Sequence, residues 1–268
     1  MTHDLDAQVL ANLSDSRKYR HLCPDTLRRI AAWSVERHPS AAAATKAAKR
    51  KLHQVHGAYI DQLDLRRLER LVAALPPVAE RAAFEVACRE TLTCHASTAE
   101  RLACLGEVYG SLFRLTGVPA SLADLACGLH PFALPWMGLP PGTHYFACDI
   151  DSRIVGALGR LFECAQQPGA AECRDLLVSP PECEVDVALL LKTVPCLEQQ
   201  EKGATLKLLR HLRARYVVLS FPTYSLGGKS KGMRQHYGRT AEGLAEALGV
   251  EMQRLDFGTE TFFVLRVP

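Results

Sequence analysis

Three acidic side chains stand at or near the ends of successive apolar segments in the second half of the chain. Asp124 begins the segment Asp124-Leu-Ala-Cys-Gly128, Asp149 comes 21 residues after Gly128, and Asp175 precedes Leu176. Ligands of open α/β sheets bind outside the carboxyl ends of the strands, where a carboxylate can accept hydrogen bonds from a ribose diol. The pattern therefore predicts an adenosine-containing ligand, with Asp149 at the ribose and Asp175-Leu176 at the adenine.

The glycine segment does not have the spacing of a dinucleotide-binding turn. The flanking glycine positions of G-x-G-x-x-G hold Ala126 and His130, which argues against NAD. Gly128 removes a side chain where the backbone must approach a ligand closely. Taken alone, the segment is equally compatible with a structural turn.

Lys192 follows the apolar run 185–191 and supplies a cation at the mouth of the predicted pocket. Pro195-Cys196 has the residue types of a covalent nucleophile, but a buried cysteine at the start of a helix is the commoner explanation. A catalytic carboxylate is missing from this segment. A ring nitrogen with a free lone pair needs no general base, so positioning and desolvation would suffice for its alkylation.

A basic segment, residues 220–239, follows the fifth apolar run. It carries Lys229, Lys231, Arg234, Arg239 and Met233, has glycines at 227, 228 and 232 that keep it mobile, and contains no acid between Ser225 and Ala241. Cations contact phosphates, and apolar or aromatic side chains stack on an extruded base. We interpret the segment as part of a nucleic-acid site; the alternative is a flexible surface loop.

The first 115 residues or so have helical patterns. Pro24 is placed to begin a helix that extends toward Val35, and Ser40 to cap an alanine-rich helix. Leucines recur with mostly helical spacing over 61–75. Pro76-Pro77 is expected to begin the next helix, and Ser97 with Glu100 resembles a capping box that opens a helix toward Phe113.

The rest of the chain alternates short apolar runs with helical stretches, which predicts buried parallel strands in a βαβ series. The last two runs predict a terminal hairpin. The fold class is therefore α/β, with the layout of a Rossmann-like class I methyltransferase. The predicted strands are residues 121–126, 144–150, 171–176, 185–191, 216–221, 250–256 and 261–267.

Composition and cysteine usage limit the class of protein. With 268 residues, 48% hydrophobic and 23% charged, the chain is typical of a globular protein, not a disordered, collagenous or coiled-coil one. Its ten cysteines form no C-x-x-C pair, which argues against structural zinc, and a metal at His53 and His56 lacks a third ligand. A signal peptide and a membrane-spanning apolar run are both missing from the sequence, so we expect a cytoplasmic protein with reduced cysteines.

The net charge of +3 is distributed unevenly. Residues 1–60 carry ten Lys or Arg and five Asp or Glu, a balance of +5, which leaves −2 for residues 61–268. Such asymmetry indicates a polyanionic partner, and a solvated helical face explains it equally well at this point. We divide the chain into a helical extension, residues 1–105, and a catalytic domain, residues 106–268.

Several segments together resemble the aminoglycoside-resistance 16S rRNA methyltransferases that modify N7 of guanine 1405. The resemblance runs from about residue 16 to the C-terminus. Each segment alone has modest specificity, and the specificity of all of them together is high. The matching segments are S-R-K-Y-R (16–20), P-D-T-L-R-R (24–29), K-L-H-x-x-H-G-A-Y (51–59), H-A-S-T-A-E-R-L (95–102), D-L-A-C-G-L-H-P (124–131), C-D-I-D (148–151), L-L-L-K-T-V-P-C-L-E (189–198) and S-F-P-T-Y-S-L-G-G-K-S-K-G-M-x-x-x-Y (220–237).

The resemblance implies a class I enzyme that takes its methyl group from S-adenosylmethionine and acts on 16S rRNA in the assembled 30S subunit. We also expect a monomer that binds no metal. The family often has Asn at the position of His130. The implied donor-site residues are Tyr59, His95, Ser97, Arg101, Gly128, Asp149, Asp175, Leu176, Leu191 and Gln200, with Arg101 at the methionine carboxylate. Lys192 and Met233 would lie at the target base, and Arg28, Arg29, Lys46, Lys49, Arg50, Lys51, Lys229, Lys231 and Arg234 would contact rRNA.

Two alternatives stay open. One is methylation of a different 16S rRNA base near the drug site. The other is an RNA-associated protein that binds the methyl donor without transferring the methyl group.

Overall fold

The computed structural model describes residues 2–223 and 232–267. The N-terminal part is helical throughout, and the sheet begins after residue 120. Its helices are α1 (Thr2–Ser14), α2 (Pro24–Val35), α3 (Ala41–Leu52), a π-helical turn (His53–Gly57), α4 (Ala58–Ile60), α5 (Leu65–Ala73), α6 (Arg81–Leu92), α7 (Ala96–Ala99) and α8 (Leu105–Thr116).

The C-terminal part alternates strands with helices, as the apolar runs predict. Its elements are β1 (Ser121–Leu125), a 3₁₀ turn (His130–Ala133), α9 (Leu134–Met137), β2 (His144–Asp149), α10 (Ser152–Ala165), β3 (Gly169–Cys173), β4 (Glu184–Leu191), α11 (Val194–Gln200), α12 (Ala204–His211), β5 (Arg213–Pro222), α13 (Met233–Leu248), β6 (Glu251–Asp256) and β7 (Glu260–Arg266).

The seven strands form one sheet in the order β3-β2-β1-β4-β5-β7-β6. The first five are parallel, and β7 is antiparallel to both of its neighbours. The direction of the strand order changes at β1, so a crevice opens at the carboxyl ends of β1 and β4. The predicted class I fold with its antiparallel closing pair is confirmed.

The helical part is divided between two hydrophobic cores. Helices α1, α2 and α3 bury side chains such as Leu13, Ile30 and Leu52 against one another. The segment from Ile60 to Leu112 instead shares a continuous core with the sheet. The predicted division of the chain at residue 105 stays a prediction, and the first three helices are the part with a core of their own.

Helix α2 is attached to the carboxyl ends of β2 and β3. The Cys23 N–H donates to the Ile150 carbonyl at 2.7 Å, immediately before the helix begins. The Thr26 hydroxyl and the Arg29 guanidinium both donate to Oδ2 of Asp175, at 2.9 Å for the hydroxyl and at 3.0 and 2.9 Å for the guanidinium. The charge of Arg29 thus neutralises the buried carboxylate of Asp175 inside the molecule, and its expected contact with rRNA stays a prediction.

Two predicted helix starts are wrong. The helix expected at Pro76-Pro77 begins at Arg81, after a turn in which the Val78 N–H donates to the carbonyl of Cys164. The helix expected at Ser97 is only the four-residue α7, and its cap is His95, whose Nδ1 accepts the Ser97 N–H at 3.1 Å. The chain then turns Arg101 into the interior before α8 begins.

We predict that Arg29→Met lowers the free energy of unfolding by about 2–3 kcal/mol, because the substitution leaves a buried carboxylate without its cation. The adjacent Arg28→Met is the matched control. Arg28 pairs with Asp25 at the surface, with 59% of its side chain exposed, and its loss should cost less than about 0.5 kcal/mol. Urea unfolding of the two variants compares them, and equal losses would contradict the structural role of Arg29.

Candidate functional site

Asp149 lies at the carboxyl end of β2, in the crevice beside β1, and its carboxylate organises two backbone segments. Oδ2 accepts the Gly128 N–H at 2.9 Å, and Oδ1 accepts the Asp151 N–H at 3.0 Å. Burial raises the pKa of this carboxyl, whereas the two N–H donors lower it. Each oxygen retains a lone pair, so the ionised group can still accept hydrogen bonds from a ribose diol.

Gly128 is the position where a side chain cannot fit. Its φ is +54°, and a Cβ atom there would lie 2.0 Å from the hydroxyl oxygen of Tyr59. The π-helical turn immediately before α4 brings Tyr59 across to this loop; such turns are frequent at functional sites. The sequence therefore needs glycine here both for the backbone conformation and for the close approach of the tyrosine.

The Tyr59 ring stacks on His95, with ring centroids 3.8 Å apart. Because Nδ1 of His95 accepts the Ser97 N–H, Nε2 carries the proton and donates to the Tyr59 carbonyl at 3.2 Å. Burial, more than any neighbouring charge, lowers the pKa of His95 to about 4. A neutral imidazole thus fixes both Tyr59 and the start of α7 beside Gly128.

Arg101 is buried and bound to a carboxylate that the sequence did not identify as functional. Its Nε donates to Oε2 of Glu260 at 3.0 Å, and one terminal nitrogen donates to Oε1 at 2.7 Å. Its expected pairing with the methionine carboxylate stays a prediction, with Glu260 as a partner that the sequence did not reveal. Both partners are about 3% exposed or less, so the low dielectric strengthens the pair.

Lys192 extends into the same charge cluster from the end of β4. Its Nζ donates to Oε2 of Glu100 at 2.7 Å and to the Ser97 carbonyl at 3.2 Å, and it lies 3.6 Å from Oε2 of Glu260. Its backbone has a φ of +57°, with the N–H donated to the Ser220 carbonyl. The side chain is only 12% exposed, so it is a fixed cation at the crevice.

The remaining predicted donor-site residues surround the carboxyl ends of β3 and β4. Asp175 accepts the Leu177 N–H through Oδ1 at 2.9 Å, in addition to the bonds that Oδ2 accepts from α2. Arg29 also donates to the side-chain carbonyl of Gln200 at 2.7 Å. Leu176 is buried and Leu191 is half-buried between these polar groups.

Asp124 is the acid of the glycine segment that does not face a ligand. It is fully buried and accepts hydrogen bonds from the Tyr145 hydroxyl at 2.8 Å and from Nδ1 of His130 at 2.5 Å. Nε2 of His130 lies 2.7 Å from the Tyr109 hydroxyl. This network stabilises the floor of the glycine loop, and it gives His130 a positioning role.

Comparison with known proteins decides the family. Residues 15–264 match the model of a family described as ribosomal RNA methyltransferase (FmrO). The chain belongs to this family of ribosomal RNA methyltransferases.

Relatives of this methyltransferase cover nearly its whole length. Proteins named 16S rRNA (guanine(1405)-N(7))-methyltransferase are 38% identical in Micromonospora echinospora, over 97% of this chain and 96% of the relative, and 34% identical in Serratia marcescens, over 96% and 97%. The crystal structure of the 16S rRNA methyltransferase RmtF with S-adenosyl-L-homocysteine is 30% identical, with a TM-score of 0.84 over 99% of both chains. The family resemblance in the sequence is thereby confirmed.

The predicted RNA-binding cations of the methyltransferase differ in their surroundings. Lys46, Lys49 and Arg50 are exposed on α3, as is Arg28 on α2. Lys51 also donates to the carbonyls of residues 199 and 200 at the end of α11, at 3.2 and 3.4 Å, and its expected contact with rRNA stays a prediction.

The basic segment after β5 is described only in part. Met233 is half-buried at the start of α13, and Arg234 is exposed beside it. Lys229 and Lys231 lie outside the described residues. Within the described ranges, no helix combines the length and apolar character that a membrane crossing requires, and no cluster of three or more His, Cys, Asp or Glu suits a metal ion.

We predict that Gly128→Ala weakens the binding of S-adenosylhomocysteine at least about tenfold, because the new Cβ displaces Tyr59 or the glycine loop. Gly159→Ala is the control, since a Cβ at that position of α10 meets nothing within 4 Å. Calorimetry measures both affinities. Adding Tyr59→Phe to Gly128→Ala should recover part of the loss, and unchanged affinity for Gly128→Ala would contradict the close approach.

The depressed pKa of His95 predicts a pH-dependent stability. Above the ordinary value of 6.5, folded and unfolded chains both hold a neutral imidazole, and the contribution is fully present. As pH falls from 6.5 toward 4, the unfolded chain takes up a proton that the folded chain does not, so the free energy of unfolding decreases by about 3 kcal/mol. Urea unfolding at pH 7.5 and pH 5 measures the effect. Between these two pH values the free energy of unfolding of His95→Asn should decrease less than that of the wild type. Equal decreases would contradict a neutral, buried His95 as the cause.

Proposed function

We propose that this methyltransferase transfers a methyl group from S-adenosylmethionine to N7 of guanine 1405 in 16S rRNA of the assembled 30S subunit. One observation supports the proposal most directly. The Asp149 carboxylate, which accepts the Gly128 N–H, and the fixed cation of Lys192 both lie in the crevice at the carboxyl ends of the strands. The activity for which the relatives are named supports the choice of base and ring atom.

The residues of the crevice suit the donor. Asp149 would hold the ribose, and the Tyr59–His95 stack would border the methionine end. The remaining members of the donor site would be Ser97, Gly128, Leu176, Leu191 and Gln200, with Asp175 acting on the adenine side through the Leu177 loop that it caps. Arg101 would contribute through its pairing with Glu260, and its unbonded terminal nitrogen would be the one left for a donor carboxylate.

When bound, S-adenosylmethionine supplies an electrophilic methyl group on a sulfonium. The lone pair of N7 forms the new N–C bond while the C–S bond breaks, so the transfer requires no proton acceptor from the protein. The chain's residues therefore act by placement and by excluding water. Lys192 is held by Glu100 and the Ser97 carbonyl, and it would donate a hydrogen bond to the target base, whereas Met233 would provide apolar contact.

Docking on rRNA would use the exposed cations of the N-terminal helices and of the segment after β5. Each cation that contacts a phosphate releases counterions, which makes binding salt-dependent. The proposed contacts are Arg28, Lys46, Lys49, Arg50, Lys229, Lys231 and Arg234. We further propose that the enzyme acts as a monomer in the cytoplasm, where its substrate is found.

Methylation at N7 removes a hydrogen-bond acceptor from the major-groove edge of the guanine and adds positive charge. A polycationic aminoglycoside that donates hydrogen bonds to this edge would then bind less tightly. The proposed biological result is resistance to aminoglycosides of the decoding site.

Mapping the modified nucleotide tests the proposal. Purified 30S subunits are incubated with the enzyme and S-adenosylmethionine, and mass spectrometry with primer extension should place one methyl group at N7 of guanine 1405. Methylation of another base, or donor binding without transfer, would contradict it.

A pair of variants links the mapping to the donor site. Asp149→Ala should weaken donor binding about 100-fold, since two hydrogen bonds to a charged acceptor are lost. Asp186→Ala is the control: its carboxylate also accepts two backbone N–H bonds, from Ala120 at 2.8 Å and Ser121 at 3.1 Å, but at the opposite end of the sheet. Donor affinity of this control should stay close to that of the wild type.

A further inference from the structure

Trp33 is a large aromatic side chain near the end of α2 that neither the donor site nor the hydrophobic core requires. It is half-buried and borders a cleft of about 290 Å³ between α2 and α3. The other polar residues around this cleft are His38, Lys46, Arg50, Lys51 and Gln54. We call this feature the Trp33 cleft.

The Trp33 cleft concentrates positive charge around the indole ring. Its lining contains no Asp or Glu. The Arg37 guanidinium carbon lies 5.1 Å from the centroid of the ring, and Nζ of Lys51 lies 5.6 Å from it. Both distances are within the range of cation–π attraction, so two cations lie against the indole beside the cleft.

The neighbouring contacts leave this charge largely uncompensated. Glu36 is the acidic partner of Arg37, at 2.9 Å. Lys51 donates to two main-chain carbonyls, which fix its position without neutralising it. Within residues 2–223 and 232–267, the side chains of Lys46 and Arg50 have no acidic partner within 4.0 Å, although both line the cleft.

The dimensions and chemistry of the cleft select a small anionic group. Its volume lies at the lower end of the range that is usual for small-molecule pockets, and a phosphate group fits within it. Cations that converge from two helices suit a phosphate, and the exposed Lys49 and Arg50 of α3 extend the positive surface beyond the cleft. A phosphate within a nucleic-acid backbone satisfies both features.

We propose that the Trp33 cleft binds one backbone phosphate of the rRNA substrate, with Lys46 and Arg50 in contact and Trp33 as a positioning residue for Arg37 and Lys51. The proposal rests on the proposed function, because the phosphate belongs to the same RNA. It adds Trp33, Arg37 and His38 to the docking surface.

The salt dependence of binding to intact 30S subunits tests the cleft. One phosphate contact changes the slope of log affinity against log salt by about 0.9, which is about three- to fourfold in affinity between 50 and 200 mM salt. Trp33→Leu and Lys46→Ala should each flatten the slope by about this amount, and the double variant should lose less than the sum. Trp33→Phe retains an aromatic face and should keep most of the wild-type slope.

Trp136→Leu is the matched control, because Trp136 also carries a cation, with the Arg89 guanidinium 5.0 Å from its ring, but belongs to α9 on the sheet side. Its slope should equal that of the wild type. If Trp33→Leu and Lys46→Ala both keep the wild-type slope, the proposal that the cleft binds a phosphate is wrong. An equal loss of affinity at every salt concentration for Trp33→Leu also overturns it, since that result indicates only a packing role.

The same preparations separate this proposal from the proposed function. If the methyl group maps to a base other than guanine 1405 while the Trp33→Leu slope is flattened, phosphate binding in the cleft is supported and the assigned base is wrong. If guanine 1405 is methylated at N7 and the Trp33→Leu slope is unchanged, the proposed function is supported and phosphate binding in the cleft is contradicted. Calorimetry with S-adenosylhomocysteine should give the same donor affinity for Trp33→Leu as for the wild type.

Discussion

The buried carboxylate of Glu260 sets the charge balance on which the substrate side of the crevice depends. It is completely inaccessible, yet it lies among two cations and the Ser220 hydroxyl, which donates to it. Burial acts to raise the pKa of Glu260, but Arg101 and Lys192 outweigh it and lower the pKa. An ionised Glu260 keeps two buried cations tolerable next to a site that must accept a positively charged sulfonium. Without it, Arg101 and Lys192 would repel both each other and the donor.

The same interaction explains why α7 and α8 are separate helices. A continuous helix from Ser97 would carry Arg101 along its own axis, whereas the turn after Ala99 directs the guanidinium toward β7. The interruption itself keeps turn hydrogen bonds, from the Arg101 N–H to the Thr98 carbonyl and from the Leu102 N–H to the Ala99 carbonyl. Glu100 lies near the surface on the same turn and accepts a hydrogen bond from Lys192. Two consecutive residues of this turn, Glu100 and Arg101, therefore belong to the charge cluster.

The sequence predicted what is encoded locally and missed what depends on distant pairing. Apolar runs identified the strands because strands buried on both faces need them, and Gly128 with Asp149 was identifiable because the spacing is short and each residue type has a specific backbone role. Arg101 with Glu260, 159 residues apart, and Arg29 with Asp175, 146 residues apart, have no such local signal. Each residue alone resembles a free charge, so a cation that neutralises an internal acid was assigned to a ligand or to rRNA. The fold was therefore predictable to within a few residues at most strand ends, whereas the partners of the buried charges required the structure.

Internal contacts also attach α2 and α3 to the side of the sheet on which the crevice opens. Arg29 binds Asp175 and Gln200 at once, and Lys51 binds the last carbonyls of α11, so α2 and α3 each contact a segment that borders the crevice. A flexible tether would let the extension bind RNA while leaving the target base unplaced. Rigid attachment instead fixes the distance between the proposed phosphate-binding surface and Lys192, and an in-line methyl transfer depends on that geometry, because small displacements at the reacting atoms reduce the rate steeply. In the proposed function, the internal contacts of Arg29 and Lys51 would therefore help to determine where the base arrives once the phosphates are bound.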